Sequence, residues 1–463
     1  MVPKLKETGG AIAEAVAEPH GVADPNDIEL ALDSAPISGT QWRIFLLCAL
    51  IMFVDGFDLQ ALALTVPYMA ADWGIVPQAF SLALSASPVA MGVGGGLLAP
   101  LGDRLGRKPL LVTALLLVGS STLAIAFTES AAQVALLRFV TGAGMGMAAV
   151  NALAMTGEYA PARRRFQIMA LMTSTFALGA FTAALVASEI IVDHGWRTLY
   201  LVGGTAPIAL AACFALLCPE SIKWLLARRP GDRRIAAVAR RLLPGHDAGS
   251  LFVRARPPDE RRSMFELFAP RYRTRTFVIW LACASGGFAL YLLMSWLPTL
   301  LIGAGWSDTS ALRGAAAIQL GGIAGSLGMS FLVDRGRLLG GLMLGYAGAL
   351  LSLLAIGLLP ASVLLWMLLL VLIGGGTAGM QVVWMSIATV HFPLDLRSTS
   401  AGWTSAVSRF GAIASPFAGG AALAAGVSAS SMMLMLVVPL GLSAAALLLA
   451  RRHFAAPGAT CAT

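Results

Sequence analysis

Three charged residues of this 463-residue chain stand inside long apolar runs: Asp55 and Asp58 in "FVDGFDLQALAL", and Arg409 in "AVSRFGAIASP". An ionisable side chain in such a run costs about 2.5–3.5 kcal/mol on membrane-insertion scales and usually faces a cavity or a partner. Spaced three apart, the two acids share one face of a helix. Neighbouring carboxylates repel and lose hydration, so a proton on one relieves both. Asp55 and Asp58 are therefore candidates for loading and releasing a proton. The plainer alternative is that one of them pairs permanently with a base and holds helices together. Arg409 cannot shed its charge, and its fork matches a carboxylate bidentately. Counted from Ile44 and Ser398, Asp55 lies about 16 Å into its run, Asp58 about 21 Å and Arg409 about 16 Å. An arginine at the depth of two acids points to an anionic ligand, with the acids competing for the cation in its absence. A fixed Asp–Arg bridge is the competing account.

Two more charges belong to a single later run. Arg138 in "LLRFVTGAGMG" lies about 10 Å in from its start. It has no acid one turn away on its own helix, so its partner comes from another helix or from the ligand. Glu158 in "NALAMTGEYAPARRR" closes the same run beside Arg163–Arg165. It is a candidate for proton coupling or, more plainly, an interfacial acid paired with loop bases. Phe57, within the acid motif, and Tyr291 are the candidate ring contacts for an aromatic ligand. Among the five histidines no metal-ligand spacing or nucleophile–base arrangement appears, and no cofactor is expected beyond protons as coupling ion.

The elements that must position these residues are membrane spans. The chain is 57% hydrophobic and 12% charged, with mean hydropathy +0.79. A soluble protein carries about twice that charged fraction. Twelve runs reach the roughly 20 residues needed to cross a bilayer core: 44–71, 79–101, 109–127, 131–157, 166–189, 197–218, 276–302, 311–333, 338–358, 362–390, 398–424 and 428–450. The fold class expected is an all-α membrane protein of two six-helix bundles. The net charge of +8 falls in alternate loops ("GDRLGRKP", "PARRRF", 223–275, "VDRGRL", Arg397, Arg451–Arg452), and the other loops hold only Arg197 and Arg313. That alternation is the positive-inside pattern, which places both termini in the cytoplasm and removes nucleic acid as a partner. Expected boundaries are a disordered cytoplasmic tail 1–40, bundles 41–218 and 275–450, a cytoplasmic linker 219–274 and a cytoplasmic tail 451–463. "RRIAAVARRLL" in the linker has the pattern of a short surface helix.

The halves carry a faint repeat. A shift of 231 moves Pro67 onto Pro298 and Asp103 onto Asp334; a shift of 232 moves Pro161 onto Pro393, Arg165 onto Arg397 and Gly179 onto Gly411. Parallel six-helix repeats are one transporter plan. "GDRLGRKP" has the composition of a hinge latch. Gly102 and Gly106 permit tight turns and close approach, and Asp103 can pair with Arg104 or Arg107. "VDRGR", with Asp334 and Arg335, repeats the device, and Arg397 belongs to the same face.

"LAPLGDRLGRKPLL" resembles the loop signature of the major facilitator superfamily. "DGFD", "RFVTGAGMG…EYAPARRR", "YLLMSWLPTLL" and "RSTSAGWTSAVSRFGAI" together are similar to its aromatic acid:proton symporters, over nearly all of 41–450. "PESIKWLL" resembles a segment shared with sugar porters and does not discriminate. The resemblance implies a two-bundle rocker-switch fold in a bacterial inner membrane and proton-driven uptake of a benzoate-type acid. It places the family's charged positions on Asp55, Asp58, Arg138, Glu158, Arg397 and Arg409, and its loop acids on Asp103 and Asp334. The expected partners are a small aromatic carboxylate, the proton and the lipid bilayer, with the carrier acting as a monomer. Rival readings are another facilitator carrier, for sugars, organic cations or drug efflux, and a membrane-embedded receptor or enzyme. An enzyme calls for a clustered His, Cys or Asp constellation and a receptor for an appended soluble domain.

Overall fold

A computed structural model describes residues 27–229, 231–243, 252, 264–335, 338–359, 362–390 and 392–454. Among them the chain is helical apart from short connections and one bridge, Asp27–Phe252. In chain order the helices are α1 (Ile28–Ser34), α2 (Gly39–Trp73), α3 (Pro77–Leu105, with a π-helical step at Gly94–Leu98), α4 (Arg107–Ile125), α5 (Ala131–Tyr159), α6 (Ala162–His194) and α7 (Trp196–Leu217). After the linker helices α8 (Ile222–Arg228) and α9 (Arg233–Leu242) come α10 (Pro270–Gly303), α11 (Asp308–Asp334), α12 (Leu338–Leu358), α13 (Val363–Val390), α14 (Leu394–Ala424), α15 (Ala429–Met435) and α16 (Val437–Phe454).

Local chemistry explains the ends of the first span. Ser38 and Gln41 form a reciprocal capping box at its start, with the Gln41 side chain accepting from the Ser38 amide at 2.7 Å. Gly74, at φ +62°, ends it in the left-handed conformation that glycine adopts without strain. Part of the segment expected to be a disordered tail, 1–40, is ordered. Ile28–Ser34 is helical, and Ile28, Ala31 and Leu32 are buried against the basic-loop end of the first half. Residues 1–26 and 455–463 lie outside the described residues.

Ten helices among the described residues are long and apolar enough to cross a membrane. The sequence count of twelve runs includes two more, now α11 and α14, whose described residues alone are not apolar enough over the length of a span. Both lie at the seam: α11 packs against α6, and α14 packs against α3. A helix facing protein and water on that side need not be apolar all round. Elsewhere the outer surface is apolar, with Leu97, Phe127, Leu216 and Leu364 largely exposed, as lipid-facing positions are.

Within each half the same pairs of helices pack: α2 with α6 and α10 with α14, α3 with α5 and α11 with α13, α4 with α7 and α12 with α16. The repeat extends to individual contacts. A Cβ on Gly179 would stand 1.9 Å from the Phe53 carbonyl oxygen, and one on Gly411 would stand 2.2 Å from that of Ala284. Those partners are themselves related by the shift of 231. Gly94 against Ala143 and Gly325 against Gly375 form another matched pair. Small residues let backbones touch where the membrane offers no hydrophobic drive for association. Gly179→Ala is therefore expected to force α2 and α6 apart and to cost about 1–3 kcal/mol, read as a lower unfolding midpoint in detergent.

The halves meet at the end away from the basic loops. One continuous apolar core joins Ala61–Ala70, Phe80 and Leu84 of the first half to the second half, whereas the basic end of the first half has a core of its own. Polar contacts cross the seam at the same end. Ser85 Oγ donates to the Ile413 carbonyl at 3.0 Å, Gln319 Nε2 donates to Gln60 Oε1 at 3.3 Å, and Arg313 pairs with Glu189 at 3.3 Å.

Candidate functional site

Asp55 and Arg409 each lie about halfway along their helices, of 35 and 31 residues. Asp55 is 4% exposed and its Oδ1 has no hydrogen-bond partner. Within its electrostatic range are Asp58, Arg409 and Arg138. Arg409 is exposed, and among the described residues it has no carboxylate within ion-pair distance. Arg409 thus acts on the buried Asp55 while staying exposed itself.

Asp58 differs from its neighbour. Its carboxylate is bridged by Arg138 Nη1 and accepts from Thr122 Oγ1 at 2.7 Å. Asp58 and Arg138 are 2% and 1% exposed, and the side chains come from α2, α4 and α5. An acid–base bridge is therefore present, but it joins Asp58 to Arg138 and leaves Asp55 within range of Arg409. Arg138 keeps one unsatisfied donor, Nε, and lines a cavity of about 20 Å³ with Leu59, Leu62, Pro88, Tyr291 and Ser295. That volume holds about one water molecule.

The aromatic candidates separate too. Tyr291 lies within electrostatic range of both Arg409 and Asp55 and lines that cavity at the seam. The Phe57 ring packs towards α7, where a Cβ on Gly203 would sit 3.1 Å from its edge. It fills the first half rather than joining the group around Asp55.

Glu158 stands some 30 Å along α5 from Arg138, in a polar network at the basic end. Arg107 Nε donates to it at 2.7 Å and Ser221 Oγ also bonds it. Arg107 further pairs with Asp103 at 2.9 Å and reaches Asn151 Oδ1 at 3.2 Å. Glu220, a residue that sequence reasoning passed over in "PESIKWLL", caps the start of α4. Its Oε1 accepts from the amides of Arg107, Lys108 and Ser221 at 2.9–3.1 Å. Both glycines of the motif are required by space. Gly106 has φ +108° with a Cβ position 2.4 Å from Glu220 Oε2, and a Cβ on Gly102 would stand 2.0 Å from Asn151 Oδ1. Glu220→Ala would strand those amide donors and is expected to cost about 1–3 kcal/mol, measured as a drop in thermal midpoint.

The second half does not display a matching network among its described residues. The Asp334 side chain lies outside them, Arg335 stacks over Phe331 at 3.6 Å, and Arg397 Nε donates to the Phe392 carbonyl at 3.1 Å. Arg104 is exposed. Thr122, Gln60 and Gln319 were also missed. A glutamine inside a span is a readable signal, whereas a threonine in a span is too ordinary to single out.

Two matched helical halves, closed at one end around a charged seam, define a membrane-embedded carrier. The Major Facilitator Superfamily model matches residues 48–416. The chain is 32% identical over 430 residues to the gallate transporter of Pseudomonas putida, covering 93% of this chain and 96% of that one. It is 33% identical to the 4-hydroxybenzoate transporter PcaK of Pseudomonas aeruginosa, covering 91% and 95%. Among solved structures, a bacterial homologue of the human lysosomal transporter Spinster superposes with TM-score 0.71 at 16% identity, over 91% of this chain and 99% of that one. The xylose transporter XylE from E. coli superposes with TM-score 0.67 at 14% identity, over 90% and 98%. The chain belongs to the major facilitator superfamily and, within it, to the aromatic acid transporter family. It is a multi-pass membrane transporter and not an enzyme.

Proposed function

We propose that this protein takes up an aromatic carboxylic acid, such as a hydroxybenzoate or a related lignin-derived acid, together with a proton. Uptake runs across a bacterial inner membrane by alternating access, with a monomer as the working unit and both termini cytoplasmic. The observation that carries the reading is the contrast between the two acids. Asp58 is neutralised by Arg138, whereas Asp55 is buried with an unsatisfied oxygen opposite an exposed Arg409. A substrate carboxylate on Arg409 removes the cation that Asp55 senses, so Asp55 then takes a proton. Substrate and proton together leave the seam uncharged, which lowers the cost of moving the loaded site past the bilayer midplane. Tyr291 supplies a flat face for the ring. The charge network of Asp103, Arg107, Glu158 and Glu220, with Gly102 packed closely against Asn151, holds the basic end of the first half as one unit during rocking.

The test is uptake by reconstituted proteoliposomes of a labelled panel of aromatic acids, with an imposed pH gradient. Hydroxybenzoates are expected to accumulate only while the gradient stands, and an uncoupler should bring them to passive equilibrium. Accumulation that ignores the gradient would remove the proton from the mechanism. Transport of a neutral sugar in preference to every acid would remove the substrate class.

A further inference from the structure

The linker helices α8 and α9 carry a surface that transport chemistry does not use. Ile235, Val238, Ala239 and Leu242 of α9 are buried in the apolar core at the basic end of the first half. The opposite face exposes Arg233, Arg234, Arg240 and Arg241, and the end of α8 adds exposed Arg228 and Arg229. Among the described residues the one ion pair within this set is Arg234 with Asp232, at 2.8 Å. Arg229 lies 5.6 Å over the Trp224 ring, and Arg240 Nε donates to its own helix at Ala236. The guanidinium charges therefore project outward almost uncompensated.

The level of this surface is set by its packing. The core that buries α9 includes Ile44 and Phe45, in the first turns of the first span. Beside them Trp42, 53% exposed, and exposed Arg43 have the composition of a membrane–water boundary, and Leu46, 61% exposed, lies one turn further in. The arginine face is thus placed at the level of these boundary residues. The Lys223–Glu29 pair at 2.6 Å, which ties α8 to α1, holds it there as well.

We propose that the outer face of α8 and α9 docks the anionic phosphate headgroups of the surrounding lipids. Clustered arginines on an amphipathic helix at a membrane surface attract anionic lipid additively, and the guanidinium fork suits phosphate. Lipid binding here clamps the linker against the first half.

The full-length protein in mild detergent is titrated with phosphatidylglycerol or phosphatidylcholine while thermal unfolding is followed. Phosphatidylglycerol is expected to raise the midpoint and phosphatidylcholine to leave it. The triple variant R233Q/R240Q/R241Q should unfold like the parent without lipid, since these side chains are exposed, and should need at least roughly tenfold more phosphatidylglycerol for the same rise. Native mass spectrometry should show fewer phosphatidylglycerol molecules retained on the variant. Equal responses of parent and variant would overturn the proposal. So would an equal effect of phosphatidylcholine, or of soluble glycerol phosphate at the same concentration.

Discussion

Asp55→Asn is expected to abolish concentrative uptake of an aromatic acid, leaving accumulation at the level of passive equilibration. Asparagine keeps the shape of the side chain but can neither take up nor release a proton, so the loaded seam stays neutral while the empty seam carries the unbalanced charge of Arg409 on its return. Substrate binding itself should survive, because Arg409 remains exposed and free of ion pairs among the described residues. Counterflow exchange of labelled for unlabelled substrate, which needs no net proton movement, is the measurement that separates the two. Exchange retained with accumulation lost places Asp55 in coupling. If accumulation persists and keeps its pH dependence, the proton is carried elsewhere. Loss of both activities would instead make Asp55 part of the binding surface.

The second large effect concerns the pair one turn away. Arg138→Gln leaves the Asp58 carboxylate buried with Thr122 as its remaining partner, and removing one member of a buried ion pair typically costs about 3–5 kcal/mol. Expression should fall and the unfolding midpoint should drop sharply. Replacing both, as Asp58→Asn with Arg138→Gln, removes the stranded charge. The double variant should recover most of the loss, so the two single effects will not add. That rescued protein also asks which acid moves the proton. If Asp58 is only a bridge, the double variant accumulates substrate with the parent's pH dependence. A well-folded double variant that has lost coupling would give the proton to Asp58 instead.

The scaffold and the charges obey different rules. Glycine contacts recur across the halves almost residue for residue, as in Gly56 against Phe176 and Gly287 against Ser408. The charged residues do not: the repeat places Gly286 at the position of Asp55 and Ala177 at that of Arg409. A duplicated packing frame thus carries chemistry in one copy of each position. Asp55 and Arg409 therefore stand on different halves, one on each side of the seam.

Much of this was legible in the chain itself. Span length and apolarity set the class of fold because bilayer thickness sets the length of a helix that can cross it. The repeat offsets identified the duplication, and the depth of Asp55 and Arg409 showed that they stand at one level, since rise per residue is constant along a helix. The helix phase of Asp55 and Asp58 was readable as well, but not what each one faces. Only the tertiary structure decided that α4 and α5 bring Thr122 and Arg138 to Asp58 and leave Asp55 to Arg409, that Phe57 turns into the first half, and that Glu158 joins the polar network at the basic end. Those outcomes depend on which neighbouring helix each face meets, and that is fixed by close packing between segments far apart in the chain. Spacing along a single helix carries no record of it.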